Sequence, residues 1–310
     1  MTAIVTGAAG FIGRALTREL LRRGEHVIGI DRVSPAAAPG LTVLTADLTS
    51  GDPMVRLALE SADVVYHLAG CPGVRDRAAD AEGRRHRDNV LATAAVLDAV
   101  PLHVPLVVAS SSAVYGGAVD GRACREDDPP RPRGGYARSK VAMERLCAAR
   151  LAEGGALTIV RPFTVAGEGQ RPDMAFSLWI EAAREGRPLR LLGSPDRTRD
   201  ITDVRDAVHA ILALADVRAQ GVVNVGTGTG HTLRRMVEAV AAALGTPVSY
   251  TVEPAGPAEV RHSLADISRL VELTGFVPRT DLFDVVARQV RATVPDGSPD
   301  GRLGATGAVP

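Results

Sequence analysis

The stretch TAIVTGAAGFIG, residues 2–13, decides the fold of this 310-residue chain. Its first five residues predict a short β-strand, and its last residues open a helical pattern. The turn between them is rich in glycine, which lets the backbone approach a pyrophosphate whose charge is met by the helix N-terminus. The residues predicted to form this nucleotide-binding loop are Gly7, Gly10, Phe11, Ile12 and Gly13. The alternative is a glycine-rich turn that binds no ligand.

An acidic residue follows where such a loop needs one. Asp31 ends the second predicted strand, eighteen residues after Gly13, and its carboxylate can accept hydrogen bonds from the ribose hydroxyls of an adenosine. Because a carboxylate here repels a 2′-phosphate, it favours NAD over NADP as the cofactor. Arg32, the next residue, leaves that choice open.

Strand and helix patterns alternate along the first half of the chain. The predicted strands cover residues 2–6, 26–30, 42–45, 63–68, 104–109 and 156–161. Helical patterns lie at Ile12–Arg23, His86–Val100 and Tyr136–Glu153. Such alternation is typical of βαβ units, in which helices cover both faces of a parallel sheet. We predict an α/β fold with a Rossmann-type doubly wound parallel sheet of six or seven strands.

The alternation loosens after Arg161, where a helix is predicted at residues 174–186. We predict an NAD-binding domain at 1–165, to which 200–228 contribute. A smaller substrate-binding region is predicted at 166–199 and 229–290. Residues 291–310 contain Gly and Pro without periodicity and predict a flexible tail.

Charge and cysteine content narrow the class of function. The chain has 36 basic and 36 acidic residues, so no net field favours nucleic acid or an anionic membrane as a partner. No apolar run approaches the length of a membrane span. Cys71, Cys124 and Cys147 show no CxxC spacing, which predicts a reducing, cytoplasmic location and no metal site. Small-molecule chemistry is the favoured class.

One basic residue stands apart, because 35 of the 36 are arginines and Lys140 is the single lysine. It follows Tyr136 by four residues in a helical pattern, so both side chains project from one helix face. A neighbouring ammonium and a positively charged nicotinamide would favour the phenolate form of the tyrosine. Lysine suits this role because its compact charge can serve several acceptors. The alternative is an ordinary surface pair.

Three consecutive serines, Ser110–Ser112, follow the fifth predicted strand. Open α/β sheets bind ligands at the carboxyl ends of their strands, so a hydroxyl here can polarise a substrate oxygen that exchanges a proton with the tyrosine. A polar strand terminus is the alternative.

The ordered set of nucleotide loop, serine cluster and Tyr-x-x-x-Lys resembles the extended short-chain dehydrogenase/reductase family, in particular its NAD-dependent nucleotide-sugar epimerases and dehydratases. The resemblance spans about residues 2–290. Further matching pieces are Asp47-Leu48, His67-Leu68-Ala69-Gly70, Asn89, Arg161–Gly167, Arg199–Val204 and Asn224–Gly228. The resemblance implies that Asp47, Leu48, Leu68, Ala69 and Asn89 bind the cofactor.

Catalytic roles come from the same resemblance. By position, the family's catalytic hydroxyl is Ser111, and the catalytic pair is Tyr136 and Lys140. Family dehydratases carry an Asp-Glu pair after the hydroxyl residue, where this chain has Ser112 and Ala113. Elimination then lacks its acid and base, so oxidation and reduction at C4 of the sugar is the expected chemistry, which implies an epimerase.

The segment Arg161–Phe176 bears on the sugar. At Thr164 and Arg171 the sequence resembles the UDP-glucuronic acid 4-epimerases. The resemblance implies that these two residues bind the carboxylate of the sugar. Arg75 also matches that subgroup, and Arg199 matches a diphosphate-binding arginine. A second such arginine is replaced by Gly256, and we expect Arg261 nearby to substitute for it. Ser111 and Ser112 are the remaining residues that are predicted to bind the substrate.

The predicted enzyme interconverts UDP-glucuronic and UDP-galacturonic acid with NAD as cofactor. Alternatives are a neutral UDP-sugar 4-epimerase of the UDP-glucose/UDP-galactose type, a nucleotide-sugar ketoreductase, and a non-catalytic NAD-binding module. The family resemblance also implies a homodimer formed through the helices at about 86–100 and 136–153.

Overall fold

The strand predicted at residues 2–6 lies inside the main sheet of the protein. In the computed structural model, which describes residues 1–73, 76 and 78–293, every residue of this strand after Thr2 is buried. In chain order the strands are β1 (Thr2–Thr6), β2 (His26–Asp31), β3 (Leu41–Thr45), β4 (Val64–His67), β5 (Leu106–Ala109), β6 (Leu157–Pro162), β7 (Thr164–Ala166), β8 (Leu189–Leu192), β9 (Thr198–Asp203), β10 (Gly221–Val225), β11 (Gly230–Thr232) and β12 (Tyr250–Glu253). The α-helices are α1 (Phe11–Arg22), α2 (Pro53–Glu60), α3 (Ala81–Arg85), α4 (Ala92–Ala99), α5 (Gly134–Ala152), α6 (Ala175–Arg184), α7 (Val204–Asp216), α8 (Leu233–Leu244), α9 (Ser268–Thr274) and α10 (Leu282–Ala292).

The main sheet has seven strands in the order β10-β6-β5-β4-β1-β2-β3, and all neighbours pair in parallel. The chain builds β1, β2 and β3 toward one edge and then returns to β4 on the other side of β1. In open α/β sheets, ligands bind beyond the carboxyl ends of the strands at such a reversal. The predicted doubly wound parallel sheet is confirmed, and a ligand crevice is expected between β1 and β4.

Helices bury both faces of this sheet, and alternate residues of β1 point into two different cores. Ala3 and Val5 belong to a cluster with Leu16 and Leu20 of α1 and with buried residues of α7. Ile4 belongs to the opposite cluster, with residues of α2, α4 and α5. The period-two alternation of a strand explains this division.

A third buried cluster lies outside the main sheet. It packs α6, α8 and α10 together and against β8, and includes Trp179, Leu189, Met236 and Val285. Two small sheets, β11-β9-β7 and β12-β8, belong to the same half of the chain. Except for Ile201 of β9, its members come from residues 166–199 and 229–290, where the substrate-binding region is predicted. The domain limits themselves stay a prediction.

Several predicted boundaries differ from the structure. β5 begins at Leu106 instead of residue 104, because Pro105 has no amide hydrogen and the Val104 amide donates to the Pro101 carbonyl in a turn. The helix predicted at His86–Val100 begins earlier, at α3, and widens into a π-helical turn at His86–Leu91. Helix α10 extends two residues into the predicted tail, whose residues 294–310 lie outside the described residues.

Candidate active site

The glycine-rich loop joins β1 to α1 at the point where the strand order reverses. Gly7 has φ +73°, and a Cβ atom there would lie 2.6 Å from the Ala69 amide nitrogen. A Cβ atom on Gly13 would collide with the Gly7 carbonyl oxygen. Helix α1 starts after Gly10, which offers no side chain to cap its first amides. The loop is therefore a cradle that side chains would fill, and it fits the pyrophosphate of a dinucleotide.

The predicted adenosine-binding residues meet in a cavity of about 320 Å³ at one end of this loop. The Asp31 carboxylate borders it and accepts hydrogen bonds from the amides of Ala9 (3.0 Å) and Val33 (3.1 Å). Hydrogen bonds from Thr49 hold the pKa of Asp47 below its usual range. Both carboxylates line the cavity. Its other predicted lining residues are Leu48, Leu68 and Ala69.

A larger cavity, of about 1080 Å³, runs from the glycine loop to the third core cluster. It brings together Gly7, Gly10, Phe11, Ile12, Gly13, Leu68, Asn89, Ser111, Ser112, Tyr136, Lys140, Thr164, Arg171 and Arg199. Arg75 lies outside the described residues. Arg261 is exposed and is absent from the lining residues, so the structure does not bring it to the site.

Lys140 is buried at the start of α5, with a side chain that points at the end of β5. Its Nζ atom donates to the Ala109 carbonyl at 2.8 Å, and burial lowers its pKa to about 8. The carbonyl belongs to the residue just before the serine cluster. Lys140 therefore joins α5 to the strand end that carries Ser111.

Tyr136 lies one turn before Lys140, but the lysine does not lower the pKa of the tyrosine as the predicted pairing requires. Burial raises the pKa of Tyr136, while a hydrogen bond with Ser111 and the charge of Arg171 lower it. The Lys140 ammonium, directed at a carbonyl, is not among the groups that lower it. Among the residues that the structure describes, Ser111 and Arg171 are thus the groups that favour the phenolate.

Asn89 lies in the π-helical turn and ties the loop after β4 to α5. Its Oδ1 atom accepts from the Cys71 amide at 2.9 Å, and its Nδ2 atom donates to the Cys71 carbonyl and to the Ser139 hydroxyl. A π-helical turn places one extra residue in a helix and is frequent at functional sites. Here it brings the amide of Asn89 to the cavity.

A buried polar network behind the serine cluster was missed by the sequence patterns. Glu144, one turn after Lys140, accepts from the Ser110 hydroxyl at 2.5 Å and from the Arg161 guanidinium at 2.9 and 2.7 Å. Arg161 also donates to the Tyr115 hydroxyl, which donates to Asn224. The four-residue spacing of Lys140 and Glu144 on one helix face could have revealed the connection.

The larger cavity contains arginines that already bind carboxylates. Arg171 donates through Nε and Nη2 to the two oxygens of Asp173, at 2.8 and 3.0 Å. Arg199 contacts Glu259 at 3.3 Å. An anionic ligand must compete with these carboxylates or share the guanidinium groups with them.

The described residues contain neither a candidate metal site nor a candidate membrane-spanning helix. Among residues 1–73, 76 and 78–293, no group of three or more His, Cys, Asp or Glu side chains could hold a metal ion. No helix in the same ranges combines the length and the apolar character needed to cross a bilayer.

A parallel sheet with a dinucleotide cradle and a Ser, Tyr and Lys set in one cavity defines a nicotinamide-dependent enzyme of small molecules. Residues 3–226 match the sequence profile of the NAD dependent epimerase/dehydratase family, and the chain belongs to this family. The predicted family, the isomerase class and the cofactor NAD are confirmed, since relatives and structural neighbours include NAD-dependent nucleotide-sugar epimerases.

Three similar proteins bear on the function. MoeE5, solved with NAD and UDP-glucuronic acid, is 37% identical, with 94% of this chain and 99% of that chain covered and a TM-score of 0.87; it is also solved with UDP-glucose and NAD. UDP-glucuronic acid 4-epimerase from Bacillus cereus, solved with UDP-glucuronic acid and NAD, is 29% identical over 94% and 98% of the chains, with a TM-score of 0.86. The dTDP-6-deoxy-L-talose 4-dehydrogenase (NAD(P)(+)) of Kitasatospora kifunensis is 33% identical, with 91% of this chain and 92% of that protein covered.

Proposed function

We propose that the protein is a UDP-sugar 4-epimerase that interconverts UDP-glucuronic acid and UDP-galacturonic acid. The observation that carries this proposal is the presence of Thr164 and Arg171 in the same cavity as Tyr136. A guanidinium and a hydroxyl together suit a carboxylate on the sugar. The similarity to MoeE5 and to the Bacillus cereus enzyme, both solved with UDP-glucuronic acid, supports the same substrate.

NAD, when bound, supplies an acceptor and donor of hydride at the sugar C4 atom. Gly7, Gly10 and Gly13 would hold its pyrophosphate, Asp31 its adenosine ribose and Lys140 its nicotinamide ribose. Ser112 and Arg199 are proposed to contact the substrate, the latter at the diphosphate.

In the proposed reaction, Tyr136 takes the proton of the sugar 4-hydroxyl while Ser111 donates a hydrogen bond to the same oxygen. Loss of that proton and of the C4 hydride leaves a 4-keto sugar. The ketone turns over in the cavity, regains hydride on its opposite face and regains the proton from Tyr136. The two transfers leave no net change in the oxidation state of the sugar, and the task of the protein is to retain the ketone between them.

A neutral UDP-sugar is the second candidate substrate. Arg171 is bound at two atoms by Asp173, so its charge is already balanced without a sugar carboxylate. MoeE5 is solved with UDP-glucose as well as with UDP-glucuronic acid. The second proposal is therefore epimerisation of the UDP-glucose/UDP-galactose type.

Parallel incubations with UDP-glucuronic acid and UDP-glucose, followed by separation of the products, test both candidates. We expect the C4 epimer of the acid without added NADH. Absence of that epimer would overturn the acid proposal, and an epimer of UDP-glucose alone would establish the neutral one. A requirement for stoichiometric NADH would instead indicate a ketoreductase. Unchanged turnover in Tyr136→Phe would contradict the catalytic assignment.

A further inference from the structure

The adenosine-binding cavity contains a cation that could admit NADP. Among the described residues that line it, Arg32 is the only Lys or Arg, and it directly follows Asp31. Its side chain is 49% exposed. A guanidinium beside the ribose-binding carboxylate is the kind of group that binds a 2′-phosphate in two hydrogen bonds.

The structure shows this guanidinium bound elsewhere. Arg32 donates from Nη1 and Nη2 to the two carboxylate oxygens of Asp88, at 3.2 and 2.9 Å. Asp47 lies 3.8 Å away on its other side. Such a fork-to-fork pair fixes the plane and direction of the guanidinium as well as balancing its charge.

Asp88 is placed for this contact by the π-helical turn His86–Leu91, next to Asn89. Its side chain is 9% exposed, whereas that of Arg32 is half exposed, so the carboxylate is the fixed member of the pair. Arg87 contacts the same carboxylate at 2.7 Å but does not line the cavity. A π-helical turn thus brings a buried anion across the cavity to Arg32.

The local charge also opposes a phosphate. Asp31, Asp47 and Asp88 carry three negative charges against the two positive charges of Arg32 and Arg87, which leaves one net negative charge. To bind a 2′-phosphate, Arg32 would have to break both hydrogen bonds to Asp88 while Asp31 repels the incoming group.

We propose that Asp88 is a positioning residue for dinucleotide selectivity: by holding both terminal nitrogens of Arg32, it withholds this guanidinium from a 2′-phosphate. Asp31 repels the phosphate directly, and Asp88 removes the cation that would compensate. Selectivity for NAD therefore rests on two carboxylates, Asp31 at the end of β2 and Asp88 in the π-helical turn. It does not depend on which sugar the enzyme turns over.

Calorimetric titration of the nucleotide-free protein with NAD⁺ and NADP⁺ tests this proposal. The background is Asp31→Ser, which removes the repelling charge and keeps an acceptor for a backbone amide. Adding Asp88→Asn should tighten NADP⁺ binding by about tenfold and change NAD⁺ binding by less than about threefold. Adding Arg32→Ala as well should abolish the gain. Arg87→Gln in place of Asp88→Asn is the matched control, and no gain is expected.

Two results would overturn the proposal: NADP⁺ affinity unchanged by Asp88→Asn, or an equal gain for both dinucleotides. If Asp88→Asn does not fold, the half-exposed Arg32 decides the question. In the Asp31→Ser background, Arg32→Ala should alter NADP⁺ affinity by less than about twofold, because Asp88 holds the guanidinium. A tenfold loss would show that Arg32 is free to bind the phosphate.

Discussion

At the residue scale, the burial of Lys140 explains why a chain with 35 arginines keeps one lysine. Its Nζ atom donates to the Ala109 carbonyl at 2.8 Å, and a guanidinium is larger than the ammonium that makes this contact. Burial lowers its pKa to about 8, so its charge can change in a range where an arginine stays protonated. Size and acidity therefore both separate lysine from arginine at this position.

Lys140→Arg should lower kcat by about 100-fold or more, because the larger guanidinium would displace Tyr136 and Ser111 and disturb their alignment. In the unsubstituted enzyme, activity should fall above about pH 8, where the Lys140 ammonium loses its proton and with it its positive charge. The variant should lack this alkaline limb, since its guanidinium keeps its charge. Rates of epimerisation against pH measure both effects.

Arg138→Lys, at an exposed position of the same helix, is the control and should leave kcat unchanged. A Lys140→Arg enzyme with ordinary turnover, or with the same alkaline limb, would remove the special role of the lysine.

At the element scale, a buried ion pair fixes α5 against β6. Glu144 and Arg161 are both less than a tenth exposed and share two hydrogen bonds, and Glu144 also accepts from Ser110 at the end of β5. The pair therefore sets how the helix with Tyr136 meets the strand end with Ser111. An uncompensated charge in this place is costly.

Glu144→Gln should reduce the free energy of unfolding by about 3 kcal/mol or more, because it leaves the Arg161 guanidinium buried without its counter-charge. Urea denaturation measures the loss. The double variant Glu144→Gln/Arg161→Met should be less destabilised than the sum of the two single variants. Additive losses, or a loss below about 1 kcal/mol for Glu144→Gln, would contradict a coupled pair.

Elements with local signals were predictable, and those set by tertiary contacts were not. β-branched runs and glycines located β1, β2 and the loop between them, since propensity and backbone geometry act within a few residues. The π-helical turn has no comparable local signature, so Asn89 could be assigned to the cofactor only by resemblance, and the contact of Asp88 with Arg32 was not foreseen. Arg261 shows the converse, because nearness in sequence did not bring it to the cavity.

At the scale of the whole molecule, the cavity joins two separately built cores. The main sheet contributes the glycine loop, Ser111 and Lys140, whereas the third cluster contributes residues such as Trp179 and Met236. Cofactor and sugar nucleotide are therefore expected to contact different cores. In this arrangement the substrate side can change without disturbing the dinucleotide cradle.

A homodimer through the helices at about 86–100 and 136–153 remains a prediction, and one exposed side chain offers a test. Leu91 ends the π-helical turn beside α4 and is 47% exposed, although α4 and α5 pack on each other. If two copies join these helices, Leu91 is buried between them, and Leu91→Arg should convert a dimer to a monomer in sedimentation velocity because a charge would enter an apolar contact. Val217→Arg, at a similarly exposed residue after α7, should leave the dimer intact. A monomeric parent protein would contradict the predicted homodimer, and a Leu91→Arg variant that stays dimeric would place the interface on another face.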